Sequence, residues 1–190
     1  MAGVAPGRLD PAVIFTPTSV DGAFVIDVEP VGDNRGGFAR TWCQREFEAR
    51  GLKVTPVQCS VSMNPVRGTI RGMHYQADPH GEPKLVRCTR GAVYDVVLDI
   101  RPMSPTFRRW ISVELTEANR RSVYAPPGTA HGFQTLAPDS EVYYQIAQFY
   151  EPSSARGVRW DDPFFGIQWP DQPAVMSERD QGFPLWGDRP

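Results

Sequence analysis

The sequence predicts an all-β protein, an antiparallel sandwich or jelly roll with a few short helices. Three observations carry that expectation. Nineteen prolines and seventeen glycines punctuate the 190 residues about every ten positions, a spacing that suits many short strands. Several segments between the breaks alternate with period two. The cleanest is WISVELT at 110–116, with Ile111, Val113 and Leu115 on one face and Ser112 and Glu114 on the other. Only QREFEAR at 44–50 reads as a convincing helix, and Gly51 supplies its stop.

Taken in order, residues 1–12 form a lead-in, and FVIDV at 24–28 alternates as a strand. The turn-rich VGDNRGG at 31–37 carries Arg35, and 38–42 is short and extended. Strand signals dominate after the helix. VQCSVSM at 57–63 places Val57, Cys59, Val61 and Met63 on one face and Gln58, Ser60 and Ser62 on the other. Further strands are expected at 92–100, 110–116, 121–125, 131–136 and 141–150. In the first of these Asp95 and Asp99 share the odd-numbered face. After Pro152 the chain turns to Trp, Phe and Pro motifs, and 171–190 reads as a tail packed over the surface of a single domain.

Composition excludes several functions. Twenty basic against twenty-two acidic residues give a net charge of −2, which argues against a general nucleic-acid binder. No apolar run approaches a membrane span, and the N-terminus lacks a secretion signal. Cys43, Cys59 and Cys88 are odd in number and lack CxxC spacing, so a disulfide framework or zinc site is not expected and a cytoplasmic, reducing setting is.

Chemistry concentrates at 69–98, which reads as a strand–turn–strand unit carrying Arg71, His74 and Lys84. A histidine between two cations suits proton transfer on an anionic substrate. It equally suits a structural histidine, and this stretch alone leaves both readings open. A metal-binding barrel would want clustered histidines, yet only His74, His80 and His131 exist, without HxH spacing, and His80 lies in the turn. A metal-free reading fits better. A strand face with His74 and Gln76 would meet one with Tyr144 and Tyr150, six residues apart on one side of a strand. His and Tyr would move protons on carbon, while Lys84 and Arg71 stabilise an oxyanion or phosphate. Tyr143, Tyr144 and Tyr150 also fit as core or face-filling aromatics, so spacing supports no more than a small anionic ligand in a barrel.

Five motifs go further. RGMHYQ at 71–76, KLVRC at 84–88, DIR at 99–101 with SPTF at 104–107, AHGF at 130–133, and WDDP at 160–163 with IQWP at 167–170 resemble, in register, the dTDP-4-dehydrorhamnose 3,5-epimerase family. The resemblance runs from about residue 24 to 180. It implies a cupin-type jelly roll, a homodimer, no metal or organic cofactor, and a nucleotide-sugar substrate, with dTDP as the expected nucleotide. It implies His74 as the base, Asp180 as the carboxylate orienting it, Tyr144 as the opposing acid and Lys84 as the enolate stabiliser. Arg35, Phe38, Gln58, Arg71, His131 and Tyr150 fall at substrate-holding positions. Arg40, Pro56 and Gln58 depart from the family pattern, replacing an acidic residue, a glutamine and an asparagine. They bear on the substrate rather than the reaction. The expected activity is therefore inversion at C3 and C5 of a nucleotide-linked 4-keto-6-deoxysugar. The alternatives are a single-centre 3- or 5-epimerase, a non-catalytic sugar-nucleotide-binding cupin, and a metal-dependent cupin oxygenase.

Overall fold

A computed structural model describes residues 12–52 and 55–188; most of the 1–12 lead-in and the last two residues of the tail lie outside them. Thirteen strands appear among the described residues. Six form one sheet in the order β1 (Val13–Pro17), β2 (Phe24–Val28), β10 (Ser122–Ala125), β7 (Lys84–Arg90), β12 (Ser140–Ile146), β5 (Gln58–Asn64). Five form a second sheet in the order β13 (Ala155–Gly157), β6 (Ile70–Gln76), β11 (Thr129–Thr135), β8 (Ala92–Asp99), β9 (Trp110–Thr116). The pairings within both sheets are antiparallel. The expected two-sheet architecture is present, with α1 (Gln44–Glu48), α2 (Glu178–Gln181) and a 3-10 turn at Trp186–Asp188 as its helical elements.

Between the sheets lies one apolar cluster, with Val86, Cys88, Val123 and Val142 from the first sheet and Val93, Val97, Leu115 and Phe133 from the second. Each sheet is also covered outside. Phe47 of α1 and Leu52 pack with Ile26, Leu85 and Tyr124. Phe165 and Ile167, with Trp169 and Trp186 beside them, cover Val96, Leu98 and Ala130. Coverage on both sides explains why β8 is buried along nearly its whole length, where period-two patterning predicts one mixed face. The Trp-rich segment does pack down, as its apolar motifs lead one to expect.

Three local expectations are corrected, and the direction of the two β5 faces is decided. The 69–98 stretch is not a hairpin: β6 and β7 belong to different sheets, and residues 77–83 carry the chain across. The 31–37 loop is part of a two-stranded hairpin, β3 (Val31–Asp33) with β4 (Gly36–Phe38). The strand at 141–150 ends at Ile146, so Tyr150 lies beyond it. In β5 the polar face turns inward, leaving Val61 and Met63 49% and 71% exposed. Its interior neighbour is a ligand-sized cavity rather than apolar core.

Candidate active site

Ten of the residues that line a cavity of about 300 Å³ come from both sheets, the segment after β12 and the tail. β6 supplies Arg71, His74 and Gln76, β11 supplies His131, β7 supplies Lys84, β12 supplies Tyr144, β5 supplies Ser60 and Ser62, and Tyr150 and Arg179 close the rim. Arg71 and His74 are three apart, a spacing that puts them on opposite faces of a regular strand. Here the register slips: His131 pairs with His74 and Phe133 with Arg71. Three steps on β6 therefore match two on β11, a bulge that brings both side chains to the cavity. The slip depends on glycine. Gly72 has φ +125°, and a Cβ there would lie 2.6 Å from Gly132 Cα.

His74 Nε2 meets Asp180 Oδ1 at 2.8 Å. The other carboxylate oxygen accepts from the Gly72 N–H at 3.1 Å, and the Asp180 N–H donates to the Ser177 Oγ that caps α2. Burial pushes the Asp180 carboxyl up, but its hydrogen bonds and the His74 charge outweigh this and hold it below the usual carboxylate value. The carboxylate is thus ionised at neutral pH. It takes the proton on Nε2 and leaves Nδ1 as the nitrogen with a free lone pair. Phe183 meets the imidazole edge-to-face at 6.1 Å between centroids. Its ring rests on Gly157, the β13 residue paired with His74, where an added Cβ would lie 2.0 Å from Phe183 Cε2.

Across the cavity the Tyr144 phenol makes no protein hydrogen bond among the described residues and stands edge-on to His131 at 5.9 Å. Burial, and then the Asp95 charge, raise its pKa against the opposing pull of Arg71. The hydroxyl therefore holds its proton at neutral pH, the state from which an acid must start. His131 Nε2 lies 2.9 and 3.0 Å from the two oxygens of Asp95. Burial pushes that carboxyl up, while His131 and then Lys84 draw it back. Lys84 Nζ is 2.7 Å from Glu82 Oε1, with both side chains nearly buried. The chain has two lysines against eighteen arginines, so a lysine here is no reflection of general usage. Among the described residues no three His, Cys, Asp or Glu side chains converge as a metal-ligand set.

The structure thus gathers His74, Lys84, Arg71, His131, Tyr144 and Tyr150 in one cavity, with Asp180 behind His74. Tyr150 arrives by tethers rather than strand spacing: its N–H donates to Gln58 Oε1 at 2.6 Å, and the next N–H, of Glu151, donates to Gln76 Oε1. Gln58 therefore reaches the site through Tyr150. Arg35 and Phe38 are not among the lining residues of this chain's own cavity. Arg35 pairs with Asp33 inside the β3–β4 hairpin, and Phe38 is 70% exposed. Arg40 binds Glu46 of α1 at 3.1 Å. His80 is a turn residue whose Nδ1 meets Ser154 Oγ. Sequence reasoning missed Ser60, Ser62, Glu82, Arg156, Arg179 and Phe183. Ser60 and Ser62 had a readable signal in the polar face of β5; Phe183 had none. A larger cleft of about 700 Å³ lies on the far side of the first sheet beside α1, lined by Phe47, Leu52, Tyr124 and prolines. It contains none of the proton-transfer groups.

The family model for dTDP-4-dehydrorhamnose 3,5-epimerase matches residues 17–188. The chain is 39% identical over 171 residues to the dTDP-4-dehydrorhamnose 3,5-epimerase of Sinorhizobium fredii, covering 90% of this chain and 88% of the relative. It is 37% identical to the dTDP-4-dehydrorhamnose 3-epimerase of Streptomyces niveus, covering 87% and 80%. The structure superposes on the dTDP-4-dehydrorhamnose 3,5-epimerase of Bacillus anthracis with TDP and PPi bound, with a TM-score of 0.88, 36% identity, and coverage of 92% and 99%. The motif resemblance, the two-sheet fold and these comparisons converge: the chain belongs to the dTDP-4-dehydrorhamnose 3,5-epimerase family.

Proposed function

We propose that this protein inverts C3 and C5 of a dTDP-linked 4-keto-6-deoxyhexose. The observation that carries the reading is a histidine–carboxylate pair and a free tyrosine hydroxyl that enter one cavity from opposing sheets, with a lysine beside them. The C4 ketone acidifies the protons on C3 and C5. His74 Nδ1 removes one, and the electron pair moves into the carbonyl to give an enolate oxygen. The Lys84 ammonium stabilises that charge where it develops. Tyr144 returns a proton to the same carbon from the other face, inverting it, and both groups then re-equilibrate with water. Arg71 and Arg179 offer cations to a diphosphate, and Tyr150 offers a face to the substrate's rings. The step relocates protons without net oxidation or reduction.

The remaining assignments belong to an assembly. Arg35 and Phe38 serve a substrate if the exposed hairpin reaches the cavity of a second copy, so we read the enzyme as a homodimer. Three free cysteines support a reducing, cytoplasmic setting. Among the described residues no helix is long and apolar enough to cross a membrane.

The test is NMR in deuterated water with dTDP-4-keto-6-deoxyglucose. Deuterium is expected at both C3 and C5. Exchange at C3 alone selects the single-centre reading, the activity for which the Streptomyces niveus relative is named. No exchange refutes this substrate. His74→Ala should abolish exchange, and wild-type rates in that variant would mean the base lies elsewhere.

A further inference from the structure

The mechanism leaves two cavity-lining charges unused, Arg156 and Glu82. Among the described residues, those lining the cavity include four cations, Arg71, Lys84, Arg156 and Arg179, but Glu82 is the only carboxylate. Asp180 and Asp95 are each held against a histidine instead. Glu82 and Lys84 flank Pro83 at the start of β7, two residues apart, so extended chain turns both to the same side. The Pro83 carbonyl accepts from the Ala147 N–H at 3.1 Å and fixes this entry.

Glu82 Oε1 takes the Lys84 ammonium at 2.7 Å, with the two side chains 12% and 9% exposed. Among the described residues the carboxylate has no other hydrogen bond, and an ionised carboxylate has about four acceptor positions. Oε2 is therefore an unspent acceptor on a residue that lines the cavity. A diphosphate would be repelled by it. The neutral sugar ring would not, and in a 4-keto-6-deoxyhexose joined through C1 the only ring hydroxyls are those on C2 and C3. Lys84 keeps two N–H donors for the enolate oxygen, so one ion pair can grip both the ketone and its neighbourhood.

We propose that Glu82 is a specificity residue whose Oε2 accepts a hydrogen bond from the C2 or C3 hydroxyl of the sugar, fixing the ring against Lys84. The inference rests on the epimerase reading above. Because a buried acceptor left unpaired is costly, such a site rejects substrates that lack the hydroxyl.

The experiment measures kcat/KM for deuterium exchange beside the ketone, using dTDP-4-keto-6-deoxyglucose and its 2-deoxy and 3-deoxy analogues. The wild type should disfavour one analogue by roughly 10- to 100-fold, the worth of a charge-assisted hydrogen bond. Glu82→Ala should erase that preference by slowing the fully hydroxylated substrate most. Glu82→Gln keeps the shape with a neutral acceptor and should fall between them. If Glu82 serves only to hold Lys84, both variants slow all three substrates by the same factor, and the proposal is overturned. A wild type that exchanges all three equally overturns it as well. A wild type that exchanges none refutes the epimerase reading instead. Should Glu82→Ala fail to fold, unchanged discrimination in Glu82→Gln is sufficient to overturn the proposal.

Discussion

Replacing Gly157 by alanine tests whether the C-terminal tail holds the catalytic pair in place. An added Cβ would stand 2.0, 2.1 and 2.4 Å from three atoms of the Phe183 ring, and ordinary contact begins near 3.4 Å. The ring must retreat by about 1.4 Å or the strand must give way. Phe183 follows α2 at a distance of three residues from Asp180, so a displaced ring pulls on the carboxylate as well as uncovering His74. The Asp180–His74 bond is 2.8 Å long, and a shift of about 1 Å removes it. Overpacking of this kind costs about 1–3 kcal/mol of stability, and misplacement of a reacting group by about 1 Å costs roughly 100-fold in rate. Gly157→Ala should therefore slow deuterium exchange by about 100-fold while lowering the melting temperature by several degrees. It should also weaken the downfield imidazole N–H signal of the His74–Asp180 bond in proton NMR. Adding Phe183→Ala should restore part of the lost stability, because the clashing ring is gone. Wild-type exchange in folded Gly157→Ala, with the N–H signal intact, would show that the tail does not position the base.

Three further variants probe separate parts of the site and its frame. Asp180→Asn keeps the size but loses the charge that fixes the His74 tautomer; exchange should fall by roughly 1,000-fold or more, and a loss under tenfold would count against the orienting role. Tyr144→Phe should leave proton removal within about tenfold while suppressing inversion by 100-fold or more, seen as washout without change of configuration; equal losses of both would contradict the opposing-acid role. Asp99 is buried, and although burial pushes its carboxyl up, hydrogen bonds from Arg101, Ser104 and Thr106 hold it at about 2. A depressed folded pKa adds stability that is complete above the unfolded value of 3.8 and is lost as pH falls through about 2. Asp99→Asn should cost about 2 kcal/mol at neutral pH, and urea denaturation should show the gap closing between pH 4 and 2. A gap independent of pH would mean the ionised form is not what matters.

Much of the fold was legible because alternation and Pro/Gly punctuation act locally. The β9 pattern of Ile111, Val113 and Leu115 against Ser112 and Glu114 appears as read, with Val113 and Leu115 buried and both polar residues exposed. Pairing is not local. Nothing in residues 69–98 says that β6 and β7 enter different sheets, because the same turn residues serve a hairpin or a crossing. Nor does spacing reveal the bulge that turns Arg71 and His74 to one side, which depends on the contact of Gly72 with Gly132 some sixty residues on. The family resemblance points to Tyr150, but strand spacing does not, since the strand stops short of it and two glutamine side chains bring it to the cavity. His74, Lys84, Tyr144 and Asp180 could be picked out as a set only through family resemblance, since their proximity is a product of topology.

That topology suits the chemistry in a definite way. Inversion needs a base on one face of the sugar and an acid on the other, separated by about the thickness of a ring plus two contacts. Two packed sheets face each other about 10 Å apart, so side chains reaching inward from each can approach a bound ring from its two sides. Here His74 comes from β6 of the five-stranded sheet, while Lys84 and Tyr144 come from β7 and β12 of the six-stranded one. Neighbouring strands of a single sheet would present both groups to the same face of the ring and permit removal and return of a proton only with retention. The crossing at 77–83, which defeats a hairpin reading of the sequence, is therefore the feature that sets the proposed base, His74, against the proposed acid, Tyr144. It also sets the ends of the substrate. Glu82 and Lys84 lie at the close of the crossing and Arg71 at the start of β6, so the paired, near-neutral charge and the cation that can bind phosphate come from opposing sheets.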